Sequence, residues 1–403
     1  MPLELSKVAA QLEGMAVRLK AGIEQRRQHL EQAFGIINIK AIDPEGLKRK
    51  IARSKTTWLV ADIVEEPNRH YQPPPPPEDF TIIATDGSHI DVNRHQSTRY
   101  YLINIGSVML SYGSNPDAKI ESHPRLYFEE EDLVLSPPEG GGREQPIEGA
   151  LLGIKRGIKE CRHLADIAGE LPAGSSALAL LDGSLIIWGL SSKDYPEFVV
   201  DELLIKGFLC HLEDIKKLNK YRPLALASYI SFPRSTDVVN TLRVAICPYD
   251  SPDCDRYCSN LPPGKRECDA VAGVRDRDLF FNILNDGERS SLFINQSSIV
   301  RNYYSDQRIY FFYIRVGDEI ARIEIPQWVA MDEKLLGLAH SLILDQCQRG
   351  HGYPVALSEA HEQAVLTAAD RNNFQQLVEL LLAEEHIPVT SSVKSLSKRT
   401  RWV

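Results

Sequence analysis

Five consecutive prolines, Pro73–Pro77, constrain this chain more than any other stretch of it. Proline has no N–H to give to a helix or a ladder, and its ring fixes φ, so the run is a stiff polyproline II rod. It sits in a linker, 68–79, between an N-terminal helical segment, 1–67, and a main fold, 80–403. Before the linker, Val8, Leu12, Met15, Leu19, Ile23 and Leu30 recur at helical spacings, which predicts a long amphipathic helix over 5–34. Periodicity alone allows either a helix packed on the main fold or a dimer arm.

After the linker, β-rich runs are expected at 80–90, 100–112 and around 125–130. A helix over 147–169, a buried strand over 177–188, a helix at about 196–219 and a strand over 223–231 follow. Three strands, helix, strand, helix, strand is the order of an RNase H-like domain, although other mixed α/β folds share it. The fold class is therefore α/β, an RNase H-like mixed five-stranded sheet flanked by helices. Residues 247–290, rich in Cys, Pro and Asp, read as an insertion. A hairpin around Gly317-Asp318 (308–317 and 320–329) and helices at about 332–349 and 357–384 close the chain.

A net charge of −9 argues against a protein that coats duplexes through a basic surface. Any nucleic-acid contact must then be local. Carboxylates covered by divalent cations are compatible with such a charge. The sequence has no run of eighteen apolar residues and its start lacks a secretory h-region, so no membrane span or signal peptide is expected. Seven cysteines, an odd set, suggest a reduced cytoplasmic setting. Gly140–Gly142 is not followed by Gly-Lys-Ser/Thr, so it is not a phosphate-binding loop and ATP hydrolysis is not expected.

Two Asp-Gly-Ser triplets, Asp86-Gly87-Ser88 and Asp182-Gly183-Ser184, each follow an apolar β-run. One alone reads as turn chemistry. Two on adjacent strands would bring carboxylates together, and close carboxylates bind a hard cation or share a proton. Glu160, on the helix before the second triplet, can add a third acid, but taken alone it reads as a solvated position. Downstream, Ser358 can cap a helix opened by Tyr353-Pro354. His361 then shares an apolar, inward face with Leu357, Ala364, Val365 and Ala368, where a buried, hydrogen-bonded histidine is the simpler reading.

Cys247, Cys254, Cys258 and Cys268 (C-x₆-C-x₃-C-x₉-C) can be free thiols, or can bind zinc or an iron–sulfur cluster. The tail cluster of Lys394, Lys398, Arg399 and Arg401 is the best candidate for DNA backbone contacts, with Lys155, Arg156 and Lys159 and the pair Lys265 and Arg266 as others.

The set DGS, KR-x₃-E, LLDGSL and GYPxxLxxAH, in this order over about residues 80 to 400, resembles the NurA family of DNA repair nucleases. The resemblance implies an active site of Asp86, Glu160, Asp182, Tyr353 and His361, with Asp86, Glu160, Asp182 and His361 as metal ligands. It implies a dependence on Mn²⁺ or Mg²⁺, two ions bridging the scissile phosphate, a homodimer, and a hexameric HerA-type ATPase as partner. The implied activities are 5′–3′ trimming of DNA ends and cutting of single strands in double-strand break repair. The cysteine insertion departs from the family pattern. Two other readings stay open: a non-catalytic RNase H-like adaptor that binds DNA and the translocase, and an enzyme acting on RNA–DNA hybrids or transposon ends.

Overall fold

The computed structural model describes residues 4–38, 43–92, 98–138, 140, 142–191, 195–262 and 264–387. The basic tail, including Lys394, Lys398 and Arg399, lies outside the described residues. The chain forms two compact units. One contains residues up to Pro73, Ile230–Ser297 and Tyr310–Ile323, and the other contains Pro74–Tyr229, Ser298–Ile309 and the remainder from Glu324. Their first boundary falls inside the proline run.

The second unit is built on five strands: β1 (Phe80–Ile90), β2 (Tyr101–Tyr112), β3 (Asp117–Tyr127), β4 (Ser176–Asp182) and β5 (Leu224–Ile230). They lie in the order β5-β4-β1-β2-β3. β1, β4 and β5 are parallel, whereas β1–β2 and β2–β3 are antiparallel. This is the RNase H-like mixed sheet. Its central strands are near-continuous apolar runs because both faces are covered; Ile82, Ile83, Ala84 and Ala177–Leu180 are fully buried. β3 begins well before the expected 125–130. Its burial pattern is almost wholly exposed, so it has no apolar run to betray it, and it is held by register with β2.

Helix α1 (Ala150–Glu170) packs on β1, burying Leu151, Leu152, Ile158, Cys161, Leu164 and Ile167. Each such side chain contributes about 1.5–3 kcal/mol. Thr85 Oγ1 donates to the Glu160 carbonyl at 3.0 Å and ties helix to strand. The strand expected over 177–188 stops at Asp182, where Gly183 takes φ +83° and turns the chain. Helices α2 (Glu333–Arg349), α3 (Val355–Ala364) and α4 (Ala368–Glu384) follow. The expected single helix 357–384 is thus two. Thr367 caps α4 and forms a reciprocal box with Asp370, which starts a new helix after the chain has left α3.

In the first unit, the N-terminal helix Leu5–Ile37 is apolar-packed only near its C-terminal end, where Ala33 and Ile37 join Val239, Leu242, Val271, Val274 and Leu279. Leu5, Leu12, Met15, Leu19 and Ile23 are exposed. A second cluster gathers Phe280, Phe293, Phe311 and Tyr313. Within it Asp276 accepts from Val238 N and Val239 N at 3.2 and 2.8 Å, satisfying the first turn of the helix Asp237–Ala245.

Candidate active site

Asp86 and Asp182 occupy equivalent levels of adjacent parallel strands. The β1–β4 pairing ends at Thr85↔Leu181, so the next residue on each strand is the aspartate. Parallel register therefore places two acids side by side where the β1–β4 pairing ends, at the last residue of β4 and inside β1, which runs on to Ile90. The two triplets do this with different glycines. Gly183 has positive φ and nothing near its missing Cβ, as a turn requires. Gly87 lies inside β1, where a Cβ would meet Glu160 Oε1 at 2.6 Å and Arg156 Cγ at 3.1 Å. It makes room for an acid and does not turn the chain.

Glu160 is buried, against the expectation of a solvated helix position; only 8 % of it is exposed. Its Oε1 lies 2.9 Å from Arg156 Nε, one turn earlier on α1. The pair is not aligned for a hydrogen bond, and both atoms are otherwise unsatisfied. Burial pushes the Glu160 carboxyl up to about 8. Arg156 pulls it down, and Asp86 and Asp182 push it further up. Asp182 is reached by solvent, yet desolvation still raises it, with Asp86 adding in the same direction.

His361 Nδ1 lies 2.6 Å from Asp86 Oδ2, with 61 % of the His361 side chain exposed. It is therefore not a buried core histidine. α3 buries Ala356, Leu357, Ala360 and Ala364 and leaves His361 at the rim. Tyr353 donates its hydroxyl to Asp182 Oδ1 at 3.1 Å and stands edge-on to Tyr229. Its position depends on a tight turn: a Cβ on Gly350 would lie 1.9 Å from the Tyr353 carbonyl. The five residues singled out by sequence thus come together around the middle of β1 and the end of β4.

The serines of both triplets serve the frame. Ser88 Oγ donates to the Ala364 carbonyl, and Asn104 Nδ2 donates to the carbonyls of Gln363 and Ala364, each at 3.0 Å. Together they hold the C-terminal end of α3 against β1 and β2. Ser184 Oγ and Leu185 N donate to the buried Glu324 carboxylate at 2.7 and 3.0 Å, fixing the turn after Asp182. Sequence reasoning missed Ser88, Asn104 and Glu324, because their partners lie 140 or more positions away. Lys155 and Lys159, considered for DNA contact, instead lie over the Tyr127 ring, with Lys155 also over Tyr101. Burial pushes Lys155 down to about 8. Arg156 alone of that cluster faces the acids.

Among the described residues no group of three or more His, Cys, Asp or Glu side chains forms a ready metal cage. Each acid is held by a protein neighbour: Asp86 by His361, Asp182 by Tyr353, Glu160 by Arg156. The donor set nevertheless fits a hard divalent cation. It offers oxygens from three acids, two of which push up the third, Glu160, and one of the Glu160 oxygens is buried without an aligned donor. No helix among the described residues is long and apolar enough to cross a membrane. No individually curated protein matches the chain. A family model described as the NurA domain matches residues 80–366, which include all five site residues.

Proposed function

We propose, since the chain belongs to the NurA family, a nuclease-family protein of DNA processing, that it hydrolyses DNA phosphodiesters with Mn²⁺ or Mg²⁺ held by Asp86, Asp182 and Glu160, and with His361 as a further ligand. The observation that carries this reading is the convergence of Asp86, Asp182 and the buried Glu160, with Glu160 seated against Gly87 and the aspartates at matching levels of paired strands. Like charges this close are stabilised by a cation. Bound there, divalent ions would supply charge neutralisation and Lewis-acid activation at a phosphoryl group.

The protein's own groups have distinct tasks in this scheme. His361, exposed and on Asp86, orients that carboxylate and is placed to carry a proton to or from solvent. Tyr353 orients Asp182 through its one O–H, which would have to leave Asp182 to reach a phosphate oxygen. Arg156 holds Glu160 in place. The finer reading comprises 5′–3′ exonuclease and single-strand endonuclease activity on DNA ends, a HerA-type hexameric ATPase partner, a homodimer and a cytoplasmic location. Family membership and the features of the sequence support it.

The test is cleavage of labelled single-stranded and duplex DNA over a metal panel. Wild type should cut with Mn²⁺ or Mg²⁺ and not with chelator. Asp86→Ala and Asp182→Ala should each lose about 100-fold or more while keeping the wild-type circular dichroism spectrum. Full activity in either folded variant rejects the assignment, and DNA binding without cleavage under every metal favours the adaptor.

A further inference from the structure

The stretch from Pro248 to Glu267 has almost no core of its own: among its described residues only Pro252 is buried. It is pinned to the chain by Lys55 N to Pro252 O at 2.7 Å and Cys254 N to Lys55 O at 3.0 Å. A segment this poor in apolar burial has little besides these bonds to fix it, and a cross-link would supply what a core does not. Its cysteines are free thiols, so a disulfide is not the staple.

Its two cysteines and the two that flank it meet at one place. Cys247, Cys254, Cys258 and Cys268 all line a single enclosed cavity of about 10 Å³. Cys247 follows the helix Asp237–Ala245, and Cys268 sits in the short turn Glu267–Val271. Cys254 and Cys258 are four apart on the one-turn helix Cys254–Cys258, a spacing that puts both on one face. Sequence positions spanning 22 residues thus converge from three separate elements. Arg243 is a cation beside the sulfurs, although burial pushes the Cys254 and Cys268 thiols up. Arg243 Nη2 lies 3.8 Å from Cys268 Sγ, and its guanidinium is covered by the Trp58 ring at 4.1 Å. Arg266 Nη2 donates to the Cys258 carbonyl at 3.3 Å.

The geometry points to a structural zinc site made by Cys247, Cys254, Cys258 and Cys268, independent of the carboxylate centre. Four thiolates select zinc or iron–sulfur chemistry, and the size of the cavity decides between them. About 10 Å³ is the room of one water-sized sphere, which suits a single ion and not a multinuclear cluster. Among the described residues no three of these thiols already form a ligating set, so binding requires the sulfurs to close on one another. Arg243 offsets part of the negative charge that a tetrathiolate site retains. The ion would bind the thiolates, release their protons and cross-link the loop to the helix Asp237–Ala245.

Elemental analysis of the full chain, purified without air or chelator from zinc-supplemented cells, tests this. About one zinc per chain should survive dialysis. Cys254→Ser and Cys268→Ser should each lower zinc by roughly tenfold or more, while the exposed Cys210→Ser keeps it. Asp182→Ala should also keep it, which separates this site from the carboxylate centre. If the serine variants do not fold, thiol modification of the wild type with a zinc-sensing dye present still decides: zinc should appear in step with thiol loss. Zinc well below one per chain, stoichiometric iron with acid-labile sulfide, or zinc that stays when the thiols are blocked would each overturn the site.

Discussion

Glu160 is the residue on which the chemistry turns, and its proton can be followed without any substrate. The unfolded chain releases that proton near the ordinary carboxylate value of 4.5, whereas the folded protein holds it up to about 8. The folded state therefore binds more protons across that window, and stability falls as pH rises through it. In chelator-treated protein, urea unfolding between about pH 5 and pH 8 should show this decline, and Glu160→Gln should flatten it. An unchanged slope in the variant would show that other groups set it. Asp86 and Asp182 were legible in the sequence because an apolar β-run followed by Asp-Gly-Ser is a short local pattern. Glu160 was less so, although it shares its helix stripe with the buried Leu164 and Ile167 at spacings of four and three. That spacing was the available signal. His361 was misplaced because 357–384 was read as one helix. The Thr367-Ala-Ala-Asp370 cap that breaks it was written in the sequence.

Among the elements, α3 matters most, since it carries His361 and rests directly on β2. A Cβ on Gly106 would lie 2.1 Å from the Ala360 carbonyl and 2.6 Å from Ala364 N. Backbone cannot yield as a side-chain end can, so Gly106→Ala should lift α3 and cost about 1–3 kcal/mol of stability, seen as a lower urea midpoint. The same change should weaken cleavage more than a mutation of equal cost remote from the site, because the His361–Asp86 contact would lengthen. Ser88→Ala removes one bond to the end of α3 and should cost about 1 kcal/mol. Such seating was not readable in advance: a glycine within an apolar strand reads as a weak strand residue until the helix above it is known. β3 was located late for a related reason. An exposed edge strand is specified by its partner's register more than by its own composition.

For the whole molecule the useful quantity is ligand linkage. A cation bound by the folded chain alone stabilises it by about 2.7 kcal/mol at one hundred times its dissociation constant. Thermal unfolding should therefore move upward with Mn²⁺, and Asp182→Ala should abolish most of that rise. A rise of equal size in the variant would place the stabilising ion elsewhere. The net charge of −9 is consistent with this behaviour, since a cation relieves repulsion among the acids. The lateral order of the strands is set by pairing, but the RNase H-like succession of strands and helices was legible along the chain. The arrangement of the chain into two units was not. Residues 230–297 and 310–323 join the N-terminal segment through contacts between residues far apart in sequence, which a local pattern does not record.

Gly87 gives the catalytic proposal an unusual fragility. The acid beneath it owes its seat to one absent methyl group. Every glycine codon is a single base from an alanine codon, so a mutation that conservative substitution scores would pass as harmless is expected to evict the carboxylate. Lineages that keep this chemistry should tolerate no other amino acid there, and those that have abandoned it should be the first to drift.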